Sequence, residues 1–221
     1  FNLFNSARYT VGPFFFASVI GDGAQLKILS FEFLFYAGIF FAVGEVANMA
    51  GVAMCPWITK MIGKKSTFMY SLILLIGLSS LFFFIPLTSG GYWVMMLMQV
   101  FISIITGIVS PLVWSMYADI ADYAELKFNT ASTGLIFSSS SMAQKFGSAF
   151  GGSAVMWILA GFGYNTAGGL QTETAIFGLQ LLMSWIPAIV AALSILVVWF
   201  YPLTKKKMEG VQIELAAKRE A

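Results

Sequence analysis

The sequence contains no histidine and a single cysteine, Cys55, which lies in a hydrophobic run. Without histidine, a Ser-His-Asp triad, a histidine general base, an H-E-x-x-H zinc site and haem ligation by histidine are excluded. A single cysteine excludes an internal disulfide and a zinc site built from cysteines. Because no nucleophile–base pair or metal-ligand cluster is visible either, the sequence predicts a protein that is not an enzyme and has neither a metal nor a cofactor.

Charged residues are also scarce. They make up 10% of the 221 residues, whereas hydrophobic residues make up 59%. A soluble domain carries about 25% charged residues, and a soluble fold of this size has too little interior for so much apolar surface, which lipid solvates instead. The net charge is only +2, so we expect no nucleic-acid partner. The composition predicts an all-α membrane protein in contact with a lipid bilayer.

Hydrophobic runs divide the chain into segments of membrane-spanning length. A spanning helix needs about 20 predominantly apolar residues, and six runs meet this, at about 2–20, 33–58, 67–85, 92–117, 130–161 and 176–201. We therefore predict a six-helix transmembrane unit over 1–203 and a charged cytoplasmic tail over 204–221. Because the chain begins with Phe1 inside an apolar run, we interpret it as a piece of a longer protein rather than one with a signal peptide.

The distribution of basic residues predicts the orientation, since cytoplasmic loops are enriched in Lys and Arg. One alternating set of connections contains only Lys27. The other set, together with the tail, contains Lys60, Lys64, Lys65, Lys127, Lys205, Lys206, Lys207, Lys218 and Arg219. This asymmetry predicts a multi-pass protein of the plasma (inner) membrane with both termini of the segment in the cytoplasm.

Polar residues recur inside the runs at spacings of three or four, which places them on one helix face. A polar side chain in hydrocarbon is costly unless it faces protein or water. The stripes are Gln99, Ser103, Thr106 and Ser110 in the fourth run, Ser138, Ser141, Gln144, Lys145 and Ser148 in the fifth, Glu45 and Asn48 in the second, and Asn5, Arg8 and Tyr9 in the first. For the hydroxyl groups two interpretations stay open: an aqueous path, or hydrogen bonds between packed helices.

The charged members of these stripes favour the aqueous path. Lys145 lies about 15 residues into its run, or roughly 22 Å along a helix, a depth from which snorkelling is poor. We therefore expect Lys145 to face water, and we expect the same of Glu45 near the middle of its run. For Arg8, close to the start of the first run, a place in the path and a place outside it both stay open.

An acidic segment, ADIADYAELK, follows the fourth run at 118–127. Asp119, Asp122 and Glu125 are three apart, so in a helix they would form one acidic edge. A solvated loop is the alternative. The segment resembles the A-D-x-x-D-Y-x-E-x-K signature between helices ten and eleven of the glycoside–pentoside–hexuronide:cation symporters, the sugar branch of the major facilitator superfamily.

Further segments carry the same resemblance. SMAQKFG at 141–147 is similar to the lysine-containing polar helix that follows the signature in that family, VIGD at 19–22 to the end of its seventh helix, FGYN at 162–165 to the loop after its eleventh, and GKK at 63–65 to the basic turn after its eighth. The resemblance implies that the six runs are helices seven to twelve of a twelve-helix transporter, in which helices seven, eight, ten and eleven line the central cavity.

The resemblance also implies a function: a sugar or glycoside carried together with Na⁺ or H⁺ by rocking of two six-helix halves. It implies that the cation-binding carboxylates and main sugar-binding aspartates lie in the N-terminal half, which is absent here. Lys145, Ser141 and Gln144 would be the contribution of this half. Asp119, Asp122 and Glu125, beside Lys127, would form a cytoplasmic gate by pairing with basic residues of the missing half.

One position departs from the family pattern. Melibiose-type members place a tryptophan in the sugar path on helix ten, whereas Ser110 holds that place here and Trp114 lies one turn nearer the cytoplasm. Two alternative functions stay open: a lysolipid symporter of the same fold, and a truncated membrane protein that does not transport. The serine-rich stripes favour a sugar over a lysolipid, whose path would be more apolar.

Overall fold

The computed structural model describes residues 1–19, 26–28, 31–33, 36–129, 132–166 and 170–220. Within these ranges the chain forms eight helices: α1 (Asn2–Val19), α2 (Tyr36–Ile62), α3 (Lys64–Phe82), α4 (Ser89–Phe128), α5 (Thr133–Gly161), α6 (Glu173–Met183), α7 (Trp185–Trp199) and α8 (Lys205–Glu220). An antiparallel hairpin of β1 (Leu26–Ile28) and β2 (Phe31–Phe33) lies between α1 and α2. The all-helical prediction is therefore confirmed apart from this hairpin. The predicted turn at Gly21 and Asp22 and the start of the fifth run at Thr130 lie outside the described residues.

Four helical stretches of the described chain are long and apolar enough to cross a membrane: Ala37–Ile62, Lys64–Phe82, Gly90–Phe128 and Glu173–Trp199. Two of the six predicted spans, α1 and α5, are not in this set. Both carry the polar stripes described above, which lower their mean hydropathy. That α1 and α5 also cross the membrane stays a prediction.

Helix α4 is 40 residues long and includes the acidic segment. It begins at the N-cap Thr88, whose hydroxyl accepts a hydrogen bond from the Gly91 amide at 3.2 Å. It ends at Asn129, which adopts the left-handed conformation (φ 59°). At 1.5 Å per residue α4 is about 60 Å long, roughly twice the hydrocarbon thickness of a bilayer. The segment at 118–127 is therefore the end of a helix and not a loop.

The sixth predicted run is broken at Ser184 into α6 and α7. In an uninterrupted helix the carbonyl of Met183 would accept a hydrogen bond from the amide of residue 187. That residue is Pro187, which has no amide hydrogen, so the Met183 carbonyl needs another donor. The break therefore has a local cause, and it exposes one carbonyl group inside the bundle.

The predicted charged tail is an amphipathic helix. The side chains of Met208, Val211 and Leu215 in α8 are buried. Met208 and Val211 form a cluster with Leu203 that packs on partly buried apolar side chains of α4, which are Ile120, Tyr123 and Leu126. The side chain of Lys218 donates a hydrogen bond to Asn129 Oδ1 at the end of α4. The tail thus covers the extension of α4 instead of projecting freely.

Glycines allow α2 and α4 to pack with their backbones in contact. A Cβ atom on Gly51 would lie 2.0 Å from the carbonyl oxygen of Ile104, and one on Gly107 would lie 2.2 Å from that of Asn48. Small residues permit this close approach between membrane helices. Gly151 of α5 similarly faces α1, where an added Cβ would lie 3.0 Å from that of Ser6.

We expect Gly51→Ala to destabilise the protein by about 1–3 kcal/mol, since the methyl group must push two backbones apart. The matched control is Gly77→Ala on α3, where an added Cβ meets nothing within 4 Å. The control should be neutral or slightly stabilising because alanine favours helix by about 1 kcal/mol. Thermal unfolding in detergent checks this, and equal melting temperatures for the two variants would contradict the packing of α2 on α4.

Candidate functional site

Three members of the polar stripe of α4, Gln99, Ser103 and Thr106, are buried and lie against α2. Asn48 donates from Nδ2 to the carbonyl oxygen of Ser103 and to Thr106 Oγ1, both at 3.3 Å. Gln99 donates from Nε2 to Ser103 Oγ at 3.2 Å. Of the two interpretations left open by the sequence, the structure shows a helix–helix hydrogen bond for the Thr106 hydroxyl, whereas the Ser103 hydroxyl accepts from Gln99 within α4. The fourth member of the stripe, Ser110, is exposed.

Arg8 is at the centre of the same network, and only 3% of it is exposed. Its Nη1 donates to the freed carbonyl of Met183 at 2.6 Å, and its Nη2 donates to Gln99 Oε1 at 2.9 Å. The guanidinium also lies 5.3 Å from the centroid of the Phe82 ring. Arg8 therefore connects α1, α3, α4 and α6 inside the bundle.

The guanidinium of Arg8 forms no ion pair with a carboxylate of the described residues, and its hydrogen bonds go to Met183 and Gln99. Neutral groups compensate the buried positive charge of Arg8 instead. Met183 is the last residue of α6, so its carbonyl belongs to the negative end of that helix dipole. The Gln99 oxygen and the face of the Phe82 ring add partial negative charge. This arrangement explains how a buried guanidinium is tolerated.

Tyr9 and Glu45 form a second polar group, on the exposed side of α1 and α2. The Tyr9 hydroxyl donates a hydrogen bond to Glu45 Oε1. The Tyr9 ring stacks on that of Phe41, with ring centroids 5.0 Å apart and an interplanar angle of 22°. Glu45 lies inside the apolar stretch Ala37–Ile62 and is exposed.

The predicted residues of α5 differ in their exposure. Lys145 and Ser148 are exposed, whereas Ser141 and Gln144 are half-buried. Ser141 donates to the carbonyl of Phe137 in its own helix at 2.8 Å, and the Ser148 carbonyl accepts from Ser6 Oγ of α1 at 2.7 Å. Lys145 makes no hydrogen bond or ion pair within the described part of the chain. It is therefore an unpaired ammonium in the middle of a long helix.

Ser110, the position that departs from the family pattern on helix ten, and Trp114, one turn nearer the end of α4, are both exposed. The Trp114 ring stacks on that of Phe137 in α5, with centroids 6.0 Å apart and an interplanar angle of 17°. The indole thus joins α4 to α5 and keeps 40% of its surface exposed.

At the end of α4, Asp119 forms an ion pair with Lys64 of the Gly-Lys-Lys turn, with Nζ and Oδ1 2.6 Å apart. Lys64 also donates to the carbonyl of Ser115 at 3.4 Å. The resemblance implied a partner in the missing half, but for Asp119 the structure shows a partner in the same chain. Asp122 and Glu125 are half-buried, and Lys127 lies over the rings of Tyr123 and Phe128 at 5.5 and 5.4 Å.

We expect Asp119→Asn to lower the free energy of unfolding by about 1–2 kcal/mol. This loss is at the lower end of the stabilisation that a hydrogen bond to a charged group usually provides. The reason is that the Lys64 side chain is 34% exposed, so that its charge is partly solvated. Asp122→Asn, a half-buried carboxylate three residues away, is the matched control and should change stability less. Thermal unfolding measures both variants, and a control that loses as much as Asp119→Asn would contradict the importance of the Lys64 pair.

The structure thus separates the predicted site residues into four groups. The buried network contains Arg8, Gln99, Ser103, Thr106 and Asn48. The others are the pair of Tyr9 and Glu45, the exposed face of α5 with Lys145, and the cluster at the end of α4. Ser110, exposed on α4, belongs to none of the four. Among the described residues no three Asp, Glu or Cys side chains lie close enough together to hold a metal ion. Sequence reasoning missed the role of Lys64 and of the Met183 carbonyl, although Pro187 is a visible signal for the latter.

Long apolar helices that enclose a buried polar network, with ionised side chains inside helices, define a multi-pass α-helical membrane protein. The sequence profile of the family described as MFS/sugar transport protein matches residues 6–205. The chain therefore belongs to this family of membrane transporters. The resemblance to the glycoside–pentoside–hexuronide:cation symporters is confirmed, and so is the prediction that the protein is not an enzyme.

Curated relatives agree with this family. The chain is 32% identical to the glucuronide carrier protein homolog of Escherichia coli K12, over 80% of this chain and 39% of the relative. It is 31% identical to the inner membrane symporter YicJ of the same organism, over 77% of this chain and 37% of the relative. It is 30% identical to the isoprimeverose transporter of Lactiplantibacillus pentosus, over 73% of this chain and 33% of the relative. The chain thus spans well under half the length of these three relatives.

Proposed function

We propose that this chain is the C-terminal six-helix half of a twelve-helix symporter that carries a sugar or glycoside together with Na⁺ or H⁺. The partial coverage of the relatives supports a half-transporter, since matches over most of this chain reach only 39% and 33% of their length. The names of these relatives include carriers of a glucuronide and of isoprimeverose, which favours a sugar over a lysolipid.

The exposed, unpaired ammonium of Lys145 is the observation that carries this proposal. An ammonium at mid-membrane depth needs water or a counter-charge, and the described part of the chain supplies no counter-charge. An aqueous cavity between this half and an N-terminal half meets the requirement. In that arrangement Lys145, Ser148, Glu45 and Ser110 face the cavity, with Ser141 and Gln144 at its edge, and Asn48, Gln99, Ser103, Thr106 and Arg8 support the wall behind it.

The cytoplasmic gate of the proposal is the end of α4. Lys64 pairs with Asp119 within this half, and we expect Asp122, Glu125 and Lys127, on the same end of α4, to lie at the contact with the other half. The docking of α8 on the same helix favours one compact cytoplasmic end. We place this end, and both termini of the segment, in the cytoplasm of a cell with the protein in its inner membrane, in accordance with the basic residues.

A transport assay tests the proposal directly. The complete transporter, reconstituted in proteoliposomes, is offered a panel of neutral glycosides and glycosiduronates with an inward Na⁺ gradient, with an inward H⁺ gradient or with no gradient. We expect concentrative uptake of at least one member of the panel, dependent on one of the two gradients. Absence of gradient-driven uptake across the whole panel would contradict the proposed function.

A further inference from the structure

The pair of Tyr9 and Glu45 has no structural role that requires a charge. Glu45 lies about ten residues into α2, or roughly 15 Å from its start, within the apolar stretch Ala37–Ile62. No ion pair of the described residues includes Glu45, so no lysine or arginine among them is within 4.0 Å of this carboxylate. Arg8, although adjacent to Tyr9 in sequence, is buried and donates to Met183 and Gln99 instead.

The hydrogen bond from Tyr9 uses only part of the hydrogen-bonding capacity of the Glu45 carboxylate. An ionised carboxylate offers about four acceptor positions, and the Tyr9 hydroxyl occupies one of them. A charged side chain at membrane depth is costly unless water or a ligand meets its remaining needs. Glu45 is therefore available to accept hydrogen bonds from a ligand that carries several hydroxyl groups.

The ring of Tyr9 is held in place beside this carboxylate. One face of the ring stacks on Phe41 at a centroid distance of 5.0 Å, and Tyr9 is 42% exposed. The Phe41 ring lies directly against Gly12 of α1. Only glycine allows this contact, because a Cβ atom added at Gly12 would be 2.3 Å from Cζ of the ring. The residues Gly12, Phe41, Tyr9 and Glu45 therefore form a supported aromatic surface next to an acceptor-only group.

We propose that Tyr9 and Glu45 bind a pyranose ring of the transported glycoside, and that Glu45 selects a neutral glycoside over a glycosiduronate. A pyranose presents hydroxyl donors at its edge, which a carboxylate accepts, and apolar C–H groups on its face, which an aromatic ring packs against. A uronate would bring a second carboxylate beside Glu45, and like charges at a binding surface are disfavoured. The inference rests on the proposed function and adds its substrate class.

Three variants of the complete transporter separate sugar binding from simple helix packing. Glu45→Gln keeps an amide oxygen for the Tyr9 hydroxyl and removes the charge. Tyr9→Phe keeps the ring and removes the hydroxyl, and Tyr9→Leu removes both. Glu173→Gln, an exposed carboxylate in the first turn of α6, is the matched control. The apparent KM for a neutral glycoside is measured by counterflow, which needs no cation gradient, alongside protein amount and melting temperature.

We expect Glu45→Gln to raise the KM for the neutral glycoside at least about tenfold, the loss expected for a hydrogen bond to a charged acceptor. Protein amount and melting temperature should stay at the wild-type values. Tyr9→Leu should raise the KM several-fold, and Tyr9→Phe less. Uptake of a glycosiduronate should stay the same or rise in Glu45→Gln. Glu173→Gln should leave the KM for both sugars unchanged.

The opposite results would overturn the inference. If the pair only packs α1 against α2, Glu45→Gln will keep the wild-type KM, and Tyr9→Phe and Tyr9→Leu will lose protein and stability instead. If Glu45 binds the cation, Glu45→Gln will lose gradient-driven accumulation but keep its counterflow KM. Both outcomes refute sugar binding by Glu45 while leaving the proposed transport function in place, which fails only if the wild-type transporter takes up no sugar.

Discussion

Arg8→Lys should destabilise the protein more than Arg8→Met, although lysine is the conservative replacement. The lysine keeps a positive charge in a site that is 3% exposed, but a single ammonium does not reproduce the fork that serves both Met183 and Gln99. An incompletely compensated buried charge costs about 3–5 kcal/mol. Methionine removes the charge and leaves two neutral acceptors without donors, at about 1–3 kcal/mol each. Part of this cost is offset, because the protein no longer has to remove a charged guanidinium from water.

The stabilities of the two Arg8 variants are compared by the amount of folded protein in membranes and by the melting temperature in detergent. Lys65→Met is a useful control because Lys65 donates only to the carbonyls of Trp199 and Tyr201 near the end of α7 and is half-buried. We expect its effect to be smaller than that of either Arg8 variant. Arg8→Lys with the stability of wild type would show that Arg8 does not compensate the break between α6 and α7.

The sequence predicted the apolar helices well where hydrophobicity and helix formation coincide. The runs at 67–85 and 130–161 differ from α3 and α5 by only a few residues. The two properties separate at the end of α4, where hydrophobicity stops at Asp119 but the helix continues to Phe128. Alanine, glutamate, leucine and lysine all favour helix, so the acidic segment extends α4 although it is too polar for hydrocarbon.

From its sequence the tail is predicted only as a charged segment, although it also has a helical periodicity. Met208, Val211 and Leu215 are separated by three and four residues, which is the spacing of one helix face. That face is buried in the structure. The pattern was therefore present in the sequence, and what the sequence lacked was the surface of α4 that it packs against.

The candidate site shows a different limit of sequence reasoning. Periodicity correctly placed Gln99, Ser103 and Thr106 on one face of α4, but it gave no information on what that face meets. The answer depends on Gly44 and Gly51 of α2, whose missing side chains bring the two helices together. The hydrogen bond from Arg8 to Met183 joins residues 175 positions apart, a distance at which no local pattern connects a donor to its acceptor.

Lys145→Ala in the complete transporter is expected to lower gradient-driven sugar accumulation at least about tenfold without loss of protein. Protein amount should not fall, because Lys145 is exposed and unpaired within the described chain. Surface substitutions away from specific contacts change stability by no more than about 0.5 kcal/mol. The functional part rests on the proposed cation coupling, in which a positive group near the cation-binding carboxylates of the other half would adjust their charge between the loaded and empty states.

The experiment measures protein amount, melting temperature and uptake on one preparation, with Lys206→Ala as the control because Lys206 is an exposed lysine of α8. Lys145→Arg is the informative second variant. It keeps the positive charge at the same place, so it should retain more accumulation than Lys145→Ala if the charge itself is what the cavity requires. Normal accumulation in Lys145→Ala would refute the functional role. Accumulation that falls only in proportion to lost protein would instead assign Lys145 to the assembly of the two halves, because its ammonium would then be paired across their interface.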